Sequence, residues 1–227
     1  MSRRLRGGLG GSVAVVALAA VVFLRAGGGA PLPAGFASIR EAAVFQQPAL
    51  LERAWALPVA KTFPRPLLSQ GNPSSCGPTS VANVLRSSGG ATTPDEVAAH
   101  GAGCLGGFCF GGLTLAQLAE ATRAISAEWK VTELRPATLD AFREELRLAN
   151  DPSRRLIINF TRRSLFGEGG CHHSPIGGYL EPEDLVFVLD VNERFGPWLV
   201  SSERLYEAMD TIDPSTGQKR GLLRLTK

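Results

Sequence analysis

Gln70-Gly71-Asn72-Pro73-Ser74-Ser75-Cys76-Gly77-Pro78-Thr79-Ser80 sets a glutamine six residues before a cysteine and the cysteine before a helix. Val81, Val84 and Leu85 follow at helical spacing, so the sulfur sits at the helix N-terminus. The partial positive charge there favours the thiolate, which is the nucleophilic form of cysteine. A histidine can serve such a thiol as base, and an aspartate can fix the tautomer of that histidine. A cysteine before a helix is, taken alone, more often a buried inert thiol. The histidines and acids downstream decide the reading.

The chain has three histidines: His100, His172 and His173. His100 follows a short predicted helix and has a surface or capping place. The other two open the stretch Cys171-His172-His173-Ser174-Pro175-Ile176-Gly177-Gly178-Tyr179. That stretch reads as a strand, and residues 185–191 read as a second, apolar except for Asp190. Leu180-Glu181-Pro182-Glu183-Asp184 is the turn between them. A hairpin folded there brings His172 and Asp190 roughly opposite each other. An aspartate among Leu185, Val186, Phe187, Val188, Leu189 and Val191 is costly to bury unpaired, so an imidazole across the hairpin is its natural partner.

These residues, with Ala208-Met209-Asp210-Thr211-Ile212-Asp213 and Thr216-Gly217-Gln218-Lys219-Arg220-Gly221, make residues 60–227 resemble the catalytic domain of phytochelatin synthases. These are the glutathione γ-glutamylcysteinyltransferases, a family within the papain-like cysteine peptidase group. The resemblance implies an α+β, papain-like fold, with Cys76 on a helical lobe and His172 and Asp190 on an antiparallel sheet lobe. Its motif register makes His172 the catalytic histidine and puts His173 in a slot that is apolar or aromatic in the family. It implies glutathione as substrate and a γ-glutamylcysteinyl thioester on Cys76. Gln70 and the Cys76 backbone N–H are implied as the oxyanion donors, and Asn159, Arg162 and Arg220 match the substrate pocket. Arginine suits carboxylates through its bidentate fork. No cofactor is implied for thioester formation. A heavy metal such as cadmium enters as an activator or as the metal–glutathione thiolate. The Cys-rich C-terminal extension of eukaryotic members has no counterpart up to Lys227. Hydrolysis to γ-Glu-Cys is therefore expected to exceed transpeptidation to phytochelatin.

The 227 residues suffice for one domain and a tail. The net charge of +3 comes from the N-terminus: Arg3, Arg4, Arg6 and Arg25 stand in a stretch without acids, and the remainder holds 20 basic and 21 acidic residues. No basic field remains for nucleic acid. Residues 7–24 carry no charge and follow three arginines, as in a signal peptide or an N-terminal membrane anchor. The segment 1–30 thus predicts export across the inner membrane, to the periplasm or anchored facing it, with membrane contact through residues 7–24. Residues 31–59 read as a linker and packing segment, and 60–227 as the catalytic domain. A homodimer is compatible with the sequence.

Helices are predicted at 94–99 behind the Thr93 cap, at 115–124 from the Thr114 capping box, at 139–148 behind Thr138, and at 202–209. Strands are predicted at 129–134, 156–161, 172–180, 185–191 and 222–225. Cys104 and Cys109 flank a Gly-rich loop and leave three options open: a disulfide, free thiols, or a weak soft-metal pair. Two other functions compete. One is a papain-like peptidase of the bacteriocin-leader type, which also sets a glutamine ahead of Cys-Gly. The other is a non-enzymatic exported thiol or metal-binding module.

Overall fold

The computed structural model describes Leu32 and residues 35–227, and the chain divides into two units, Met1–Phe36 and Ala37–Lys227. The predicted targeting segment 1–30 lies outside the described residues. Among the described residues no helix is long and apolar enough to cross a membrane.

The second unit opens with a 3-10 turn, Ile39–Glu41, then helices α1 (Pro48–Trp55), α2 (Cys76–Arg86) and α3 (Pro94–Ala99). A short hairpin, β1 (Cys104–Leu105) and β2 (Phe108–Cys109), leads to α4 (Leu115–Ile125). Then come β3 (Lys130–Leu134), α5 (Leu139–Leu148), β4 (Arg154–Thr161), α6 (Arg163–Phe166), β5 (Cys171–Leu180), β6 (Leu185–Leu189) and β7 (Pro197–Ser201). The chain ends with α7 (Ser202–Met209), β8 (Ile212–Asp213), β9 (Gln218–Lys219) and β10 (Leu222–Thr226). The capping box read at Thr114 is formed, the Thr93 cap proves to be a second capping box with Glu96, and Thr138 caps α5. His100 is the C-cap of α3.

Six strands form one antiparallel sheet in the order β3-β10-β4-β5-β6-β7. Both faces are covered, which is why its strands read as apolar runs rather than as alternation. Ile157, Phe187, Leu189, Leu223 and Leu225 face a core with Val81 and Leu85 of α2, Val97 of α3 and Leu118 of α4. Leu156, Phe160, Ile176, Val188, Trp198 and Leu222 face the other core, with Phe142 of α5 and Leu205 and Met209 of α7. The sheet is thus shared between two helical layers, with α2 laid on one face. The expected packing segment joins both cores: Ala54 and Val59 enter the first, Ile39 and Phe45 the second.

Arg155 of β4 fastens α2 to the sheet without a carboxylate. Its guanidinium donates to Ser87 Oγ at 2.6 Å, Thr62 Oγ1 at 2.8 Å and the carbonyls of Ser87, Pro152 and Arg154. Burial lowers its pKa to about 10, and the charge stays in place.

The strand β7 was not legible in advance. Pro197 heads it, and a proline inside an apolar run argues against a strand unless it starts an edge, which is where β7 lies. The predicted strands otherwise hold, within one or two residues at their ends.

The Gly177-Gly178 pair makes the β5–β6 hairpin fit. The register shifts between Ile176, opposite Val188, and Gly178, opposite Phe187. Gly178 has φ of +135°, and a Cβ there would stand 2.5 Å from Leu57 Cδ1 and 2.9 Å from Asn150 Oδ1. Gly178→Ala is therefore expected to destabilise the fold by about 2 kcal/mol or more. Chemical denaturation midpoints of the variant and the wild type check this.

Candidate active site

Cys76 is the first residue of α2, as its sequence position predicted, and is buried at 6% exposure. Two anchors hold the loop before it. Asn83 of α2 accepts from Leu68 N–H at 2.9 Å through Oδ1 and donates to Leu68 O at 2.9 Å. Gln70 N–H donates to Val191 O at 2.7 Å, which ties the loop to the end of β6. Ser80 Oγ lies 2.8 Å from the carbonyl of Cys76 and 3.0 Å from that of His173, so one hydroxyl joins α2 to β5.

The two histidines point into different surroundings, as strand alternation requires. The ring that reaches the thiol is His173: its Nδ1 lies 3.9 Å from Cys76 Sγ. The motif register made His172 the catalytic histidine and put His173 in an apolar slot; that slot in fact faces the thiol, and His173 fills it. The cause is the placement of α2, which packs over the face of β5 that carries His173. A Cβ on Gly77 would stand 3.7 Å from that same Nδ1.

His172 has the partner the hairpin gave it. Its Nε2 lies 3.0 Å from Asp190 Oδ1, with both side chains buried. Ile176 opposite Val188 carries the register on to Ser174 opposite Asp190. His172 is thus the diagonal neighbour of Asp190 on one face, still within side-chain reach. Asp190 also takes Arg162 Nη2 at 2.6 and 2.7 Å, Trp198 Nε1–H at 3.0 Å and the Asn192 N–H at 2.9 Å. Arg162 Nη2 lies 2.8 Å from His172 Nε2 as well. That nitrogen donates to Asp190 when it carries a proton and accepts from Arg162 when it does not. Trp198 was missed because β7 was missed.

Arg162 was expected in the substrate pocket. The structure instead uses its Nη2 on the buried carboxylate and lays its guanidinium over Phe195 at 3.8 Å from the ring centre. Its Nε and Nη1 are buried without a partner. Asn159 is likewise turned to protein: Nδ2 donates to Cys171 Sγ at 3.1 Å and lies 2.8 Å from His173 Nε2, while Oδ1 has no partner. Arg220 donates through Nη1 to Ile212 O at 2.5 Å and to Thr211 Oγ1 at 3.1 Å, and its buried Nε is unpaired. Gln70 donates through Nε2 to Asn72 O at 3.0 Å, so its expected oxyanion donor is turned onto its own loop.

The electrostatics differ from a simple helix-end thiolate. Burial, then the neighbouring Cys171, pushes the Cys76 thiol up to about 11, against hydrogen bonds from the backbone of His173 and Gly77 that lower it. Burial, then the charge of His172, pulls His173 down to about 3. His172 is also lowered by burial, but the charge and hydrogen bond of Asp190 oppose that. Burial raises Asp190, yet His172, Arg162 and Trp198 together outweigh it and hold the carboxyl below its ordinary value.

A cleft of about 500 Å³ opens beside the site, lined by Gln70, Asn72, Arg162, Cys171, His172 and Arg194 among others. Cys104 and Cys109 form a disulfide, so their weak candidacy as thiolate metal ligands is withdrawn. Among the described residues no cluster of three or more His, Cys, Asp or Glu side chains is arranged to hold a metal ion.

His173 sets a pH signature. Its folded pKa lies below the unfolded value near 6.5, so the unfolded chain takes up a proton first as pH falls. The stability it secures is fully present above about pH 6.5 and is lost toward pH 3, by about 1 kcal/mol near pH 5.5. Denaturation midpoints at pH 7.5 and 5.5 should fall more in wild type than in His173→Phe.

A sequence model of phytochelatin synthase matches residues 109–222, which hold His172, His173 and Asp190. The chain is 33% identical over 118 residues to glutathione gamma-glutamylcysteinyltransferase 3 of Lotus japonicus, covering 51% of this chain and 25% of that protein. It is 36% identical over 93 residues to glutathione gamma-glutamylcysteinyltransferase 1 of Arabidopsis thaliana, covering 40% of this chain and 19% of that one. The chain thus spans a quarter or less of the length of these curated relatives. In fold it is similar to a C39-like peptidase from Bacillus anthracis, with a TM-score of 0.52 at 15% identity over 71% of this chain and 94% of the other.

Proposed function

The chain belongs to the phytochelatin synthase family, and on that premise we propose that it is a thiol acyltransferase and peptidase acting on glutathione. Cys76 attacks the Cys–Gly carbonyl, glycine leaves, and a γ-glutamylcysteinyl thioester remains on the sulfur. The observation that carries this reading is the thiol at the head of α2 packed against the strand of His172 and His173, with Asp190 buried behind His172.

One imidazole, that of His173, stands against the thiol, while His172 lies on the other face of β5 against Asp190, and the charges distinguish them. A thiol near 11 facing His173 near 3 keeps its proton on sulfur. On this reading substrate entry brings the thiol and His172 together: His172 takes the proton from sulfur as the sulfur–carbon bond forms, Asp190 stabilises the imidazolium, and the same proton goes to the glycine amine as the C–N bond breaks. His173, held by Asn159, positions the sulfur. Substrate entry turns Gln70 Nε2 off Asn72 O, and that donor joins the Cys76 N–H at the oxyanion, an interaction worth about 3 kcal/mol. Arg162 lines the cleft and keeps two nitrogens without a partner, which supports it as the donor for a carboxylate of glutathione. The cleft volume is in the range for a small ligand such as glutathione.

The arginines ahead of residues 7–24 and the Cys104–Cys109 disulfide support a domain exported beyond the inner membrane. Cadmium acts on this reading as part of a metal–thiolate substrate. Hydrolysis exceeds transpeptidation, because water competes with any acceptor that is not held in place.

Incubation with millimolar glutathione, with and without cadmium, should give glycine and γ-Glu-Cys in excess over phytochelatin. Cys76→Ser should show no turnover. His172→Ala should lose about 10²- to 10⁴-fold in kcat, and His173→Phe distinctly less. Product masses and initial rates check all three. Larger damage from His173→Phe would move the base to His173.

A further inference from the structure

The hairpin β1–β2 has a surface that the chemistry above does not use. Five large apolar residues are exposed among the described residues, and three cluster here: Leu105 at 77%, Phe108 at 42% and Phe110 at 71%. The rings of Phe108 and Phe110 meet edge to face at 5.2 Å. The Cys104–Cys109 disulfide closes the hairpin, so the three side chains are carried on a short braced loop. No charged residue occurs from position 101 to 119. A tip of exposed aromatic and aliphatic side chains on an uncharged loop is costly to leave in water.

We propose that this hairpin tip seats the domain on a lipid bilayer, with Leu105, Phe108 and Phe110 entering the boundary between headgroups and acyl chains. The chain outside the described residues names the occupant. It contains the uncharged apolar stretch within residues 7–24, preceded by Arg3, Arg4 and Arg6, a pattern that brings the polypeptide to a membrane. A specific protein partner needs about 1,000 Å² of complementary surface with a polar rim, and three side chains on one tip do not supply it. Asp95, close beside Gly107, puts negative charge near the loop. Insertion is therefore driven by apolar burial and is insensitive to salt and to anionic lipid content.

The tip also bears on the site. Asn72 Nδ2 donates to Gly107 O at 3.1 Å, and Cys109 N–H donates to Ser74 Oγ at 3.0 Å. The membrane-facing loop thus grips the segment between Gln70 and Cys76. A seated tip fixes how the cleft faces the bilayer.

The test uses the full chain, reconstituted in phosphatidylethanolamine–phosphatidylglycerol vesicles whose acyl chains are brominated. Phe110→Trp adds one indole to Trp55, Trp129 and Trp198. Its circular dichroism and unfolding midpoint should match wild type. The added emission should be blue-shifted and at least about half quenched by bromine, unchanged by salt, and the quenching should fall when Leu105→Asp and Phe108→Asp are combined with it. Added emission that stays red and unquenched overturns the proposal. So does a blue shift that appears without vesicles and grows with protein concentration, which would assign the tip to a second copy of the chain.

Discussion

One buried carboxylate organises the active face of this protein. Asp190 leaves the end of β6 with a fully buried side chain, and every hydrogen bond it makes constrains another part of the chain. Arg162 supplies the compensating charge from the end of β4, Trp198 donates from β7, and the Asn192 N–H closes the turn beyond. His172 completes the shell from β5. A charge buried in such a shell holds only while its partners stay, and losing one partner of a buried pair costs about 3–5 kcal/mol. The cluster therefore locks four neighbouring strands, β4 to β7, as firmly as it orients the imidazole.

The adjacent histidines divide two tasks between the faces of one strand. His173 turns to α2, where it meets the thiol, Asn159 and the helix start at Gly77. His172 turns to the charge cluster. Burial pushes the pKa of His173 down and that of the Cys76 thiol up, and both shifts favour the neutral forms. The cleft beside Gln70 and His172 is lined by Arg162 too, whose Nε and Nη1 have no partner.

Much of this was legible in the sequence. The capping residues Thr93, Thr114 and Thr138 marked three helices, because caps act locally. The isolated Asp190 in an apolar strand announced a buried partner, because such a charge cannot stand alone. What was not legible depended on tertiary placement. Arg162 looked like a ligand for substrate, but the need of Asp190 for a cation captured it. His173 looked like filler, but the seating of α2 decided which ring met the thiol. Strand β7 was hidden by Pro197, whose meaning depends on whether a strand is central or at the edge. The exposed Phe108 and Phe110 gave no signal, since exposure is a property of the folded surface.

The account stands on a covalent γ-glutamylcysteinyl intermediate at Cys76. Rapid mixing of the protein with glutathione, acid quenching, and mass analysis of the intact chain and its peptides tests it most directly. One γ-glutamylcysteinyl group on the peptide containing Cys76, appearing before free γ-Glu-Cys accumulates, is the result the account predicts. Release of glycine with no adduct on that peptide, or with the adduct on Cys171, would contradict it.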